Sequence, residues 1–287
     1  MKTFEYCEPG SLDEAVALLR GGDASPIAGG TDLMVQMKEH VRQPGRVVDL
    51  KKIPGMDDFR FDPRAGLVLG ALVTTRQVET SPLTQRHYAS LARAATDFAS
   101  IQVRNRATVV GNVCRASPSA DTLPALIADG AVLAIHGPQG RRTCRVEDFC
   151  TGPGRTTLAE GEIVTHIVLP PPPPCTGKAY SKHGRRAQME LATVGVAVSI
   201  TVERGQCLDV GIVLAAVGPT PIRAVHAEAM LRGRPVSAGL VLQAAHAAME
   251  DARPISDVRA SADYRREMVG VLTRRAIELA LQETETH

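Results

Sequence analysis

Two short stretches of this chain combine residue types that hold anions. The first is Pro26-Ile27-Ala28-Gly29-Gly30-Thr31-Asp32-Leu33, and the second, far downstream, is Thr108-Val109-Val110-Gly111-Asn112. Each joins small or apolar residues to a hydroxyl, carboxylate or amide side chain. Adjacent glycines admit φ > 0 and expose consecutive N–H donors, a nest for phosphate oxygens. A helix beginning near Thr31 would add its N-terminal dipole. The same residues also read as a plain strand-to-helix turn in which Thr31 or Asp32 caps. Gly111-Asn112, taken alone, is a hairpin or bulge signal. As a pair, the stretches point to a pyrophosphate gripped from both sides, and so to a dinucleotide bound without a Rossmann fingerprint.

Other polar residues leave two readings open. Asp121, in Ser117-Pro118-Ser119-Ala120-Asp121, could accept hydrogen bonds from ribose hydroxyls or cap a helix starting at Thr122. Lys182, with Arg185, Arg186 and Glu190 nearby, could set a cation beside an anionic reduced ring or belong to a solvated face. The histidines show no HxxxH or HExxH spacing, and no Ser-His-Asp set can be read. Cysteines at 7, 114, 144, 150, 175 and 207 form no CxxC or CxxxxC pair, so no metal site is expected on the chain. Redox chemistry here would need an organic cofactor.

The bulk properties exclude several classes. A net charge of +2 gives no basic field for nucleic acid, and 3% aromatics with no Trp gives no stacking platform. Apolar residues at 44% and charged residues at 22% suit a globular chain, and 287 residues allow two or three cores. The start, Met1-Lys2-Thr3-Phe4-Glu5-Tyr6, lacks the apolar run of a signal peptide, and no stretch is long enough to span a bilayer. The expected location is cytoplasmic, with reduced thiols.

The elements that must position these residues follow from periodicity. Ser11-Leu12-Asp13-Glu14 reads as a capping box for a helix with Leu12, Ala15, Val16 and Leu19 on one face. A strand at Pro26–Ala28, a helix at Thr31–Lys38 and a strand at Arg46–Leu50 make a small lobe ending near 55. A strand at Gly66–Leu69, a helical Tyr88–Ile101, a short helix in Ser117–Leu126, and strands at Ala131–His136 and Ile163–Leu169 make a second. Pro170–Pro174 reads as a stiff extended connector. Beyond it, strands at Leu191–Val202 and Leu208–Ala216 precede helices at Ala224–Leu231, Gly239–Asp251 and Asp263–Gln282. The expected segments are 1–55, 56–174 and 175–287, and the class is α+β.

In order and spacing, these stretches resemble the FAD-binding medium subunits of the molybdenum hydroxylases, the xanthine dehydrogenase family. The resemblance runs over nearly the whole chain. It is carried by Phe4-Glu5-Tyr6, Ala28–Leu33, Gln102-Val103-Arg104-Asn105, Ala107-Thr108, Gly111-Asn112, Ala116–Asp121, Gly161-Glu162-Ile163, Leu169-Pro170 and Asp257–Arg266. It implies an FAD fold of the PCMH/vanillyl-alcohol-oxidase type in two lobes, plus a CO dehydrogenase flavoprotein-type α+β C-terminal domain. By the resemblance, Pro26–Leu33 and Thr108–Asn112 flank the FAD diphosphate. Phe98 neighbours the cofactor, Asp121 meets ribose or adenine-side polar groups, and Leu169 touches the flavin through its backbone. Lys182 lies near the isoalloxazine, where its charge favours an anionic reduced ring. The family usually has two adjacent glycines in the second stretch. Val110 replaces the first, and a β-branched residue resists φ > 0, so a looser phosphate contact or a shifted turn is expected there.

The resemblance also implies an oxidoreductase subunit with no catalytic nucleophile or general base of its own. A molybdopterin-binding large subunit would hydroxylate the substrate. A small [2Fe-2S] subunit would pass electrons to FAD, and an external acceptor would collect them, in an (αβγ)2 heterohexamer. Two alternatives remain: an FAD-free scaffold paralogue, and a free-standing flavin oxidoreductase.

Overall fold

A computed structural model describes residues 1–186 and 189–284, so the last three residues of the expected third segment lie outside it. The chain forms three main sheets. The first is parallel, with Arg46–Asp49 between Glu5–Cys7 and Ala24–Ile27. Its strands are linked by the Leu12–Leu19 helix, which buries Ala15, Val16 and Leu19. Ser11 caps that helix by accepting from the Glu14 N–H, but the Glu14 carboxylate reaches back to the Gly10 N–H (2.8 Å) instead of closing the expected box. After Ile27 the chain turns through Gly29-Gly30, and the next helix runs Leu33–Lys38, two residues later than expected.

The second sheet is antiparallel and has five strands, in the order Phe59–Asp62, Gly66–Gly70, Ile163–Leu169, Val132–Gly137, Gly140–Arg145. Between Gly70 and Val132 the chain leaves the sheet for a run of helices, which carries Phe98, Thr108–Asn112 and Asp121. The helical stretch expected at Tyr88–Ile101 is helix only over Ala89–Asp97. Phe98 is extended and Ala99 has φ +45, a sharp exit that a second helix, Ile101–Arg104, then follows. The hairpin or bulge signal at Gly111-Asn112 proves to be the first turn of a helix, Val109–Arg115. Thr108 is its N-cap, and its Oγ1 accepts from the Gly111 N–H at 3.0 Å. Val110 keeps negative φ and is buried in the core, so this helix needs no second glycine.

The third sheet is antiparallel, Thr176–His183, Val194–Glu203, Gln206–Ala215, Ile222–Arg223. It is covered on both faces, which explains the almost unbroken apolar run from Val194 to Ile200. One face, with Tyr180, Ala197 and Val213, packs into the core of the preceding lobes. The other, with Val196, Val198 and Ile212, packs under the Ala238–Asp251 and Ala262–Thr284 helices. Residues 170–174 carry neither helix nor strand.

Glycine is required at 29 by a close approach. A Cβ there would overlap the Arg106 carbonyl oxygen and lie 3.0 Å from the Ala107 Cα. Gly239, at the start of a helix, has open space around it and ordinary φ. Gly29→Ala is therefore expected to destabilise the fold by about 1–3 kcal/mol through overpacking. Gly239→Ala should be neutral or stabilising by a few tenths of a kcal/mol, as helix propensity dictates. Urea unfolding midpoints of the two variants check this contrast.

Candidate functional site

The close approach at Gly29 brings the two glycine-containing stretches together. The first turn lies against Arg106-Ala107, immediately before the Thr108 cap. Arg115, in the last turn of the Val109–Arg115 helix, closes the pairing from the other end with an ion pair to Asp32 (2.9 Å). Asp32 also accepts from Gln36, so neither its carboxylate nor the Thr31 side chain caps the helix by hydrogen bond. Gly30 takes φ +76, and the whole stretch 26–33 is at least partly exposed, including the apolar Ile27, Ala28 and Leu33. An exposed turn with a left-handed glycine is the backbone form that aims amides at an anion.

The second stretch is more internally committed. Thr108, Val109 and Val110 are buried, the Gly111 and Asn112 N–H groups bond back to Thr108, and the Val109 N–H bonds to the Val73 carbonyl. Its outward parts are the exposed Gly111 and the Asn112 side chain. Asn112 Oδ1 accepts from Thr122 Oγ1 (2.7 Å), which links this helix to the loop bearing Asp121.

Asp121 stands at the N-cap of the Thr122–Ala128 helix but makes no capping bond. Its carboxylate accepts instead from Tyr180 Oη (2.9 Å) and pairs with Lys182 Nζ (3.0 Å). Both partners lie far along the chain from Asp121, on one strand, and both charged side chains are under 10% exposed. Lys182 Nζ also donates to the Asp97 carbonyl (3.0 Å), one residue before Phe98. Burial outweighs the adjacent ammonium and pushes the Asp121 carboxyl up to about 6, while the same burial and the nearby carboxylate raise Tyr180 well above the usual phenol range. Beside this cluster an open cleft of about 330 Å³ is lined by Arg93, Asp97, Lys182, His183, Arg186 and Glu190.

Most of the residues singled out from sequence thus converge. Pro26–Leu33 meets Thr108–Asn112 through Arg106, and the latter reaches Asp121, Lys182 and Phe98 through Thr122. Leu169 is placed differently: it is fully buried, ladders with Leu67, and its carbonyl faces Tyr88 Oη at 3.4 Å. Three contributors were not singled out from the sequence. Arg115 carried no signal. Tyr180 shares a strand face with Lys182 by the two-residue alternation, which could have marked it. Arg104, inside the Gln102–Asn105 stretch, is buried, and its guanidinium donates to Glu79 and to the carbonyls of Thr96, Phe98 and Ala99.

Comparison with known proteins identifies the family of the chain. The family described as "FAD binding domain in molybdopterin dehydrogenase" matches residues 2–172, and the "CO dehydrogenase flavoprotein C-terminal domain" matches residues 178–280. The chain belongs to the FAD-binding subunits of the molybdenum hydroxylases. It is 35% identical to the carbon monoxide dehydrogenase medium chain of Hydrogenophaga pseudoflava, over 96% of both chains. It is 32% identical to a putative xanthine dehydrogenase FAD-binding subunit of Escherichia coli, over 96% of this chain and 95% of the relative. Its fold superposes on a solved carbon monoxide dehydrogenase from Hydrogenophaga pseudoflava with a TM-score of 0.93 and 37% identity, covering 97% of each chain. Quinoline 2-oxidoreductase from Pseudomonas putida gives 0.91 and 28%, covering 99% of each.

FAD is the cofactor of this family, and the residues present fit it. The exposed, left-handed Gly30 turn supplies backbone donors, Arg115 sets a cation beside them, and the cleft at Lys182 is open to receive a ring. Among the described residues no group of three or more His, Cys, Asp or Glu could hold a metal ion, and no helix is long and apolar enough to cross a membrane.

The position of Asp121 sets a pH signature for this FAD-binding subunit. An acid whose folded pKa is raised binds its proton in the folded state first, so its contribution to stability grows as pH falls from about 6 toward the unfolded value and is lost as pH rises again. The unfolding free energy of the native chain, measured relative to Asp121→Asn, is expected to rise between pH 7 and about pH 4. A difference that stays constant with pH would contradict the burial of this carboxyl.

Proposed function

We propose that this chain is the electron-transfer subunit of a multi-subunit molybdenum hydroxylase. It would receive electrons from a small [2Fe-2S] subunit and pass them through FAD to an external acceptor. A molybdopterin-binding large subunit would perform the hydroxylation, in an (αβγ)2 assembly. Relatives named as medium chains or FAD subunits of carbon monoxide, nicotinate and glyceraldehyde dehydrogenases support this reading. So does the extent of the match, 96% or more of both chains for the carbon monoxide and glyceraldehyde dehydrogenase medium chains and over 80% for the nicotinate dehydrogenase subunit. The six unpaired thiols suit a reducing compartment, and we place the complex in the cytoplasm.

The observation that carries the proposal is the seat of Lys182. Its ammonium is fixed between a buried carboxylate and a backbone carbonyl, at the edge of an open cleft. FAD, when bound, supplies the two-electron chemistry. The chain's own residues orient it: Pro26–Leu33 and Gly111-Asn112 at the diphosphate, Phe98 at the ring, and Lys182 as the positive charge beside it. Asp121 acts in this reading through Lys182, because both its oxygens already have protein partners. Leu169 reaches the cofactor only through the backbone that follows it, and Thr108, Val109 and Val110 shape the second stretch from beneath. The three sheets fall within residues 5–49, 59–169 and 176–223, which supports the division 1–55, 56–174 and 175–287. The scaffold alternative rested on Val110, whose burial in the core with negative φ in the Val109–Arg115 helix supports the FAD-binding reading instead.

Lys182→Met tests this role. FAD content should stay near that of the native protein, and the flavin midpoint potential should fall by on the order of 30 mV, about one tenfold change for a two-electron couple. Loss of the charge with no change in potential would remove Lys182 from the electron path. Affinity purification of the native chain should bring down a molybdopterin subunit and a [2Fe-2S] subunit together.

A further inference from the structure

We propose that Arg104 is the positioning residue for Lys182, acting through the turn at residues 96–99; this rests on the role given to Lys182 above. The Ala89–Asp97 helix ends against two cations from different elements. Lys182 Nζ takes the carbonyl of Asp97 at 3.0 Å. Arg104 Nη1 takes the carbonyls on either side of it, Thr96 and Phe98 at 3.0 Å and Ala99 at 3.4 Å. Four consecutive carbonyls at a helix C-terminus would otherwise be orphaned, and cations there are also favoured by the helix dipole.

The turn that these bonds hold is a strained one. Ala99 sits at φ +45, a left-handed region that a residue with a Cβ seldom adopts. Released from Arg104, the Phe98-Ala99 turn has reason to relax, and the Asp97 carbonyl moves with it. Lys182 would then keep only Asp121 as a fixed partner. Arg104 is itself anchored from behind. Its Nε donates to Glu79 Oε2 at 2.9 Å, and Arg76 holds the same carboxylate at 3.0 Å. The guanidinium fork matters here, because one planar group serves a carboxylate on one side and three carbonyls on the other. A lysine at 104 keeps the charge but cannot bridge the two sets. The path runs from Glu79 through Arg104 and the 96–99 turn to the ammonium of Lys182.

The test compares the native complex with Arg104→Met, Arg104→Lys and Glu79→Gln, using two readouts. The first is the acylation rate of Lys182 by acetic anhydride, followed by peptide mass spectrometry, with buried Lys178 as the internal control. Selective faster labelling of Lys182 in Arg104→Met and Arg104→Lys, with Lys178 unchanged, is the expected result. Unchanged labelling of Lys182, or equal gains at both lysines, overturns the proposal, since the second means general loosening. If Arg104→Met does not fold, Glu79→Gln decides by the same criteria. The second readout is the flavin midpoint potential in a double-mutant cycle. Lys182→Met should shift it far less in the Arg104→Met background than in the native one. Additive shifts would overturn the positioning role while leaving Lys182 in place, whereas no shift from Lys182→Met alone would overturn the reading on which it rests.

Discussion

The placement of the Lys182 end of the site depends on how side chains of the strand Thr176–His183 reach the two ends of the helix Thr122–Ala128, which itself packs on the neighbouring strands Val194–Glu203 and Gln206–Ala215. The helix carries a buried carboxylate at each end, Asp121 and Asp129. One face of the strand presents Lys178, Tyr180 and Lys182 in alternation. Lys178 pairs with Asp129, Tyr180 donates to Asp121, and Lys182 pairs with Asp121. The lengths agree: eight helical steps span about 12 Å and four strand steps about 13 Å. A one-residue slip would turn all three side chains to the opposite face and leave two carboxylates buried without partners. Burying such pairs yields little net stability, yet removing one partner costs on the order of 3–5 kcal/mol. The arrangement therefore works chiefly as a register lock. It fixes the C-terminal sheet on the preceding lobes and delivers Lys182 to the cleft.

A second contact ties the small N-terminal lobe to the same region. The backbone at Gly29 rests against the carbonyl of Arg106, two residues before the Thr108 cap. Asp32 and Arg115 bind at the far side of that contact. The first turn is thus oriented by the second stretch rather than by its own helix cap. The two differ in what their backbone offers: the first turn is partly exposed and left-handed at Gly30, while in the second the Gly111 and Asn112 amides bond back to Thr108 and the Val109 amide to Val73. Thr122 and Asn112 carry the connection onward to Asp121, so the two stretches and the Lys182 end belong to one connected network.

Much of this was legible in the residues. The strand at 26–28, the turn and helix that follow it, the proline run, and the C-terminal strands at 191–202 and 208–216 with their helices were read from period and punctuation, whereas the strand Thr176–His183 was not. Errors arose where a local signal competed with another. Gly111-Asn112 resembles a hairpin turn, but Thr108, three residues before Gly111, is also a helix N-cap, and the buried Val109 and Val110 decide for the helix. Asp121 resembled a cap because it precedes a helix, yet its partners lie 59 and 61 residues away. Periodicity carries no such information. The helix end at Asp97 was missed for the same reason: Arg104, a side chain from the next helix, collects the carbonyls that stop it.

In the function proposed for this chain, its two stretches and the Lys182 cleft together hold a single FAD. The direct measurement is the amount of FAD released per chain on denaturing the purified protein, after incubation with excess FAD and removal of the unbound cofactor. One FAD per chain is the predicted result. A chain that is folded by circular dichroism and still releases none would contradict it.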